Sequence, residues 1–304
     1  MREATFMMKK LFLLMIVALI GGCTNLVKNP TNIKKSFVQI NKKVEVQVCG
    51  ENSISKSNEC KTLITMNSTG SGSIVWNEYE IGGQPRTLVL TADHICESKE
   101  YTLQDFDQRV VGHIKENLGF KKEFKFVSKP TMKVLNSQGK LYPVKEHPWI
   151  RNVAADTCIV ETSINAPSLS IGSDVSYGEK VTNIAAPKGI FFPNSGGGGV
   201  FFTQGLYNGQ FVMQSNERGN RLFSMYNLSA APGSSGSPIL NSNGEIIGMI
   251  HSIDSRYCNL ITSQCNSPVS YSATLDQIKD TLASALAAIK RGQGAIFDYK
   301  KIGQ

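Results

Sequence analysis

The sequence predicts an all-β protein, a barrel or a sandwich, finished by one helix. Three observations predict it. Short apolar runs, alternating or β-branched, recur at residues 37–40, 44–48, 63–66, 72–76 and 86–90, and again at 175–177, 180–185, 200–206, 211–215 and 222–227. Turn-forming stretches such as Glu80-Ile81-Gly82-Gly83-Gln84 separate them. Clear helical periodicity is confined to one late segment. There Thr274-Leu275-Asp276-Gln277 makes a capping box, and Leu275, Ile278, Leu282, Leu286 and Ile289 fall on one face before Gly292.

The start of the chain reads differently. Lys9-Lys10 precedes an apolar run over residues 11–20, too short to span a bilayer as a helix, and then Gly21-Gly22-Cys23. Residues 1–23 are therefore expected to be a signal peptide. Ile20-Gly21-Gly22-Cys23 resembles the bacterial lipobox, which implies lipidation of Cys23 and export to the cell envelope, anchored to a bacterial membrane (outer membrane or periplasm-facing); without lipid the chain would be secreted. Residues 24–35 are polar, contain a proline and read as a tether.

Residues 97–152 are rich in Lys and Asp and read as a surface insertion, with Val110-Val111, 124–127 and 132–134 as edge strands. His113 and His147 fall here as surface or structural histidines. Gly196-Gly197-Gly198-Gly199 reads as a loop and not a phosphate cradle, because no Lys-Ser/Thr and no helix follow.

Net charge is +8 over 304 residues, mild and dispersed, with no basic run interleaved with aromatics, so nucleic acid is not expected as a partner. Seven cysteines suit an oxidising compartment. Their spacings are not C-x-x-C and the histidines are scattered, so no metal or other cofactor is expected. Cys49 and Cys60 flank a polar loop, and Cys258 and Cys265 enclose another; both pairs are candidate local disulfides.

One stretch carries chemistry. Gly233-Ser234-Ser235-Gly236-Ser237-Pro238 places a serine between glycines, where the backbone can bend the hydroxyl outward and present the N–H groups of Gly233 and Ser235 to a developing oxyanion. Upstream, Thr91-Ala92-Asp93-His94 closes a strand-like run, and Asp156 heads the β-branched run at 157–160. A carboxylate beside an imidazole beside a hydroxyl is what acyl transfer through a serine requires. Asp93 is discounted as the acid, since adjacent side chains on one short turn diverge.

The order His94, Asp156, Ser235, with the Gly70-Ser71-Gly72 strand before the histidine strand, resembles the trypsin/chymotrypsin-like serine proteases over roughly residues 40–290, and more closely their bacterial branch of HtrA-type proteases and glutamyl endopeptidases. The resemblance implies two six-stranded antiparallel Greek-key β-barrels, at 36–165 and 166–292, with a C-terminal helix packed on the second and a tail at 293–304. No added PDZ domain is expected after the helix. It implies a serine endopeptidase acting on protein or peptide substrates, with His94, Asp156 and Ser235 catalytic and Gly233 and Ser235 as oxyanion hole. A protease-fold lipoprotein used only for binding is the competing reading. Cys96 and Cys158 lie two residues beyond His94 and Asp156, so pairing them would pin the two segments together; the family's usual partner for a cysteine near the histidine lies upstream, and both pairings stay open. Ser234 stands where the zymogen-activated members carry an Asp, so that activation switch is absent. Residues 229–232 and 250–253 are expected to wall the specificity pocket. Ser229 at its floor argues against an Arg/Lys preference and leaves small or apolar side chains as the default, while His251, one residue out of register, resembles the acid-binding histidine of glutamyl endopeptidases.

Overall fold

The computed structural model describes residues 29–52, 54–78, 85–97, 102–120, 124–145, 149–187, 200–215, 219–254, 256, 258–259, 264–265 and 267–290. The signal segment with Cys23, the first residues of the tether, Glu80 to Gln84, His147, the tetraglycine run and the tail lie outside the described residues.

The first half contains α1 (Pro30–Ser36), β1 (Phe37–Glu51), β2 (Asn58–Glu78), β3 (Arg86–Ala92), α2 (Asp93–Cys96), a 3-10 turn (Leu103–Asp105), α3 (Gln108–Glu116), β4 (Phe124–Leu135), β5 (Leu141–Pro143), β6 (Ile150–Asn152) and β7 (Thr157–Thr162). The strands form one antiparallel sheet in the order β5-β4-β1-β2-β3-β7-β6. A bridge between Val144 and Thr162 returns the end of β5 to β7. Six of the seven strands thus make a ring, and β6 pairs with Thr157 to Ile159 on the same edge of β7. The second half contains β8 (Lys180–Ala185), β9 (Phe201–Ser215), β10 (Gly219–Tyr226), β11 (Pro238–Leu240), β12 (Ile246–Ile253), the short ribbon β13 (Cys258–Asn259) and β14 (Gln264–Cys265), β15 (Ser270–Ser272) and α4 (Leu275–Lys290). Its barrel closes in the order β10-β15-β12-β11-β8-β9. Two barrels, each with six strands in its ring, match the predicted fold class.

Several strands are longer than the apolar runs imply. Residues 37–40 and 44–48 belong to the single strand β1, because Asn41, Lys42 and Lys43 continue the ladder opposite Thr69, Ser68 and Asn67. Two expectations are corrected outright. Val110-Val111 is not a strand but part of α3, where Ile114 is fully buried and joins Val48 and Phe120 in a satellite core. The second half of the tether is α1, capped by the Asn29 side chain through Asn32 N–H at 3.3 Å, with Ile33 buried in the main core.

The crossover between barrels is stitched to both. Leu169 N–H donates to Ile74 C=O at 2.8 Å, and Ile246 N–H to Ser170 C=O at 2.8 Å. The main core is also shared, running from Val38, Leu90 and Ile159 through Leu240 and Met249 to Ile278 and Ala285 of α4. The capping box of α4 forms as read, with Thr274 N–H on Gln277 Oε1 at 2.8 Å and Gln277 N–H on Thr274 Oγ1 at 3.3 Å. Its docking differs from expectation. The helix leaves the second barrel and lies mainly on β6 and β7 of the first, because its buried face is Ile278, Thr281, Ala285 and Ala288, with Leu282, Leu286 and Ile289 at the margin. Small residues on that face allow close approach, and Thr281 Oγ1 meets Thr157 Oγ1 at 2.8 Å inside the interface.

Ile278 is completely buried at this junction. Ile278→Ala is expected to lower unfolding free energy by about 2–5 kcal/mol, read as a shift of the urea midpoint.

Candidate active site

The histidine segment is built by the end of β3. Ala92 is still extended, and Asp93–Cys96 then turns through one helical turn with Cys96 facing inward. The disulfide Cys96–Cys158 ties this turn to β7. The aspartate segment is the tight turn between β6 and β7. Asn152 Oδ1 accepts from Ala155 N–H at 3.1 Å, and Asp156 itself is left-handed at φ 52°, a conformation that Asp tolerates better than most residues.

These two segments clasp each other through several bonds. Asp93 N–H donates to Asp156 C=O at 3.0 Å. His94 N–H donates to Asp156 Oδ1, and His94 Nδ1 lies against Asp156 Oδ2, both at 2.9 Å. The His94 side chain is 41% exposed whereas that of Asp156 is 15% exposed, so the ring opens to solvent and the acid sits behind it. Burial alone would raise the Asp156 pKa, but the hydrogen bonds and charge of His94, helped by His251, hold it below the ordinary carboxylate value. Asp93 turns away, as read, to a bidentate pair with Arg151 at 2.6 and 2.9 Å. Its burial raises its pKa against the pull of that arginine.

Ser235 arrives from the second barrel on the loop before β11. Gly236 N–H donates to Ile250 C=O at 2.7 Å, and Ile250 N–H to Ser237 C=O at 2.9 Å. The first barrel holds the same loop through Ser71. Its N–H donates to Ser235 C=O at 2.7 Å, its Oγ to Gly233 C=O at 2.8 Å, and its C=O accepts from Thr91 Oγ1 at 2.8 Å. This contribution of Ser71 was missed in the sequence, although the Gly70-Ser71-Gly72 match was its signal. Gly236 sits at φ 87°, and a Cβ there would lie 2.0 Å from Ser71 O and 2.3 Å from Thr91 Oγ1. Only glycine fits. Gly233 is likewise left-handed at φ 94°. Among the described residues, the N–H groups of Gly233 and Ser235 meet no backbone acceptor, and the Ser235 hydroxyl makes no hydrogen bond with His94.

The remaining candidates divide. Ser229 is exposed, and its neighbour Ala230 is bridged to Ser267. His251 lies against the Asp156 side chain. Its imidazole is buried with Nδ1 3.5 Å from Asp156 Oδ2 and its ring 4.5 Å from that of Phe223. Desolvation pushes its pKa down to about 4, only partly opposed by Asp156. Arg221, also unremarked in the sequence, braces the Asp156 turn. Its Nε and Nη2 donate to Ala154 C=O and Val153 C=O at 2.6 and 3.1 Å. Two disulfides are in place, Cys49–Cys60 and Cys96–Cys158, and Cys258 is disulfide-bonded, facing Cys265 across the β13–β14 ribbon.

Two outcomes are expected. Gly236→Ala forces both strain and overlap, so it should lower the melting temperature and disorder the Ser235 loop, seen as new protease-sensitive cleavage there. For pH, the folded pKa of His251 near 4 lies below its ordinary 6.5. The unfolded chain therefore takes up a proton that the fold refuses, and stability falls as pH drops from 6.5 towards 4, by on the order of 3 kcal/mol. Asp156, with its lowered pKa, loses its contribution only below that window. Melting curves of His251→Phe should be flatter over pH 6.5–4 than those of the natural chain.

The family described as "trypsin-like peptidase domain" matches residues 70–249. No curated protein matches. Among solved structures, Rv3671c from M. tuberculosis H37Rv, a serine-to-alanine mutant in an inactive form, is similar at 14% identity and TM-score 0.50, over 87% of this chain and 94% of that one. A second structure, Rv3671c protease in an inactive form, gives 14% identity and TM-score 0.50 over 86% and 95%. These likenesses show the fold. The family match spans more than half of the chain, and its ends enclose the histidine, the aspartate and the serine: this protein belongs to the trypsin-like peptidase family and carries the serine-protease fold.

Proposed function

We propose that the chain is a working serine endopeptidase of the cell envelope. The observation that carries this reading is the His94–Asp156 pair at 2.9 Å, doubled by the His94 backbone bond to the same carboxylate. A decayed site would have no need to keep a buried charge so fully matched. In this reading Asp156 fixes the His94 tautomer, with the proton on Nδ1, so that Nε2 is free to accept the Ser235 proton. Ser235 Oγ then attacks the peptide carbonyl. The new bond forms as the carbonyl π pair moves to oxygen, and the N–H groups of Gly233 and Ser235 receive that charge, at about 3 kcal/mol per donor. His94 returns the proton to the leaving amine, and water repeats the sequence on the acyl-enzyme. No step requires a metal or cofactor. The uncharged Ser229 at the expected floor of the specificity pocket supports small or apolar side chains there.

The envelope location rests on the sequence of residues 1–23, with Cys23 lipidated, and is supported by the disulfides, which suit an oxidising compartment. One observation favours the competing, non-catalytic binding role: the Ser235 hydroxyl is not bonded to His94 among the described residues. Such bonds often tighten only when substrate is present, so the catalytic reading stands first.

The test is labelling of the full chain by a fluorophosphonate probe. The natural chain should label; Ser235→Ala should abolish labelling, and His94→Ala or Asp156→Asn should slow it by about 10³–10⁴-fold. The labelled band should sediment with membranes and become soluble in Cys23→Ser. A folded natural chain that takes no label would overturn the catalytic reading.

A further inference from the structure

We propose that His251 is a positioning residue for Asp156: an uncharged imidazole that carries its proton on Nδ1 and directs it at Asp156 Oδ2, so that the carboxylate is held between two histidines. The effect on rate rests on the protease reading; the placement of the proton does not.

The geometry assigns the tautomer. His251 lies on β12 with 7% of its side chain exposed, and Nδ1 is 3.5 Å from Oδ2, the oxygen that also meets His94. A neutral imidazole has one N–H and one lone pair. With the proton on Nε2, the buried Nδ1 lone pair would face a carboxylate oxygen across 3.5 Å, which is repulsive. With the proton on Nδ1, the contact is attractive. Nε2 is then the acceptor, and among the described residues it is buried with no hydrogen-bond partner. That orphan is the cost of the arrangement. A phenylalanine would fill the same space against Phe223 with no polar atom to bury, so the imidazole is explained by what Nδ1 does and not by packing.

The surroundings keep it uncharged. The charged or titratable groups acting on His251 are Asp156, His94 and Arg221. Arg221 stands over the Phe223 ring at 5.0 Å while its donors bind the carbonyls of the Asp156 turn. Arg221, Phe223 and His251 are therefore packed in series beside Asp156. His94 orients the acid through both oxygens, and His251 limits its rotation through a second contact at Oδ2. A full positive charge on His251 would compete with His94 for Oδ2, so its neutrality is part of the design.

The experiment has two readings on the full chain. First, nitrogen NMR of the labelled imidazoles at neutral pH, with the His251 signals assigned by their loss in His251→Phe. The expected spectrum is the Nδ1–H tautomer, unprotonated down to pH 5. An Nε2–H tautomer, or an imidazolium titrating near the ordinary value, overturns the proposal, whether or not the chain is an active protease. Second, the rate of fluorophosphonate labelling against pH. His251→Phe, folded by its melting curve, should label at least tenfold more slowly and with a displaced pH midpoint. His251→Asn, whose amide nitrogen can take the Nδ1 position, should recover much of the rate. A folded His251→Phe chain that labels at the natural rate with an unchanged pH profile overturns the positioning role. A natural chain that takes no label refutes the protease reading, and the nitrogen spectrum alone then decides this one.

Discussion

A buried carboxylate must be matched by donors, and the first barrel is arranged to match that of Asp156. A lone ionised group in this position would be neutralised or driven back to water. Instead the backbone and ring of His94 occupy both oxygens, and the Asp93 N–H takes the carbonyl of the same residue. Those bonds dictate the left-handed backbone at Asp156, the single helical turn after β3 and the buried position of Asp93. Asp93, once buried, requires Arg151. The disulfide beneath repeats the connection covalently, between residues two places beyond each partner. The histidine can therefore face solvent without losing its orientation.

The serine loop depends on a second junction, made across the two barrels. Ser71 of β2 uses its N–H and hydroxyl there while Thr91 holds its carbonyl within the first barrel, and Gly236 supplies the empty space that lets the strands approach. Arg221 crosses the other way, from β10 to the turn of Asp156. Each barrel thus holds the reactive segment of the other. The shared core makes relative movement of the barrels costly, because Leu240, Met249 and Ile278 pack with Ile159 and Leu90.

Much of this was legible in the sequence, and what was not has physical reasons. The Gly-flanked Ser235 and the strand-end positions of His94 and Asp156 are local patterns, so residue type and spacing sufficed to single them out. Cys96 and Cys158 were suggestive because they shadow those residues. Val110-Val111 misled because two adjacent apolar residues fit either period; the helix is decided by Ile114 and Phe120, which find Val48 far away in the chain. The stripe of α4 predicted a helix but not its partner, since periodicity gives a face and not the surface that receives it. Arg151 and Arg221 were hidden for the same reason: each acts on a residue more than fifty positions distant, and nothing in its neighbours announces it. The Gly70-Ser71-Gly72 strand and His251 were noticed, but the distant partners they meet were not.

The docking of α4 has a consequence for the order in which the molecule can be completed. The last described helix covers β6 and β7, on either side of the Asp156 turn, and reaches Thr157 with Thr281 across 124 residues of sequence. A chain emerging N-terminus first, from a ribosome or through a translocation channel, would have its histidine and aspartate strands available long before the helix that seals them. The first barrel would wait with an open seam until α4 arrived. Such long-range closure slows folding. It also makes completion of the first barrel depend on α4, a segment made long after the strands it covers.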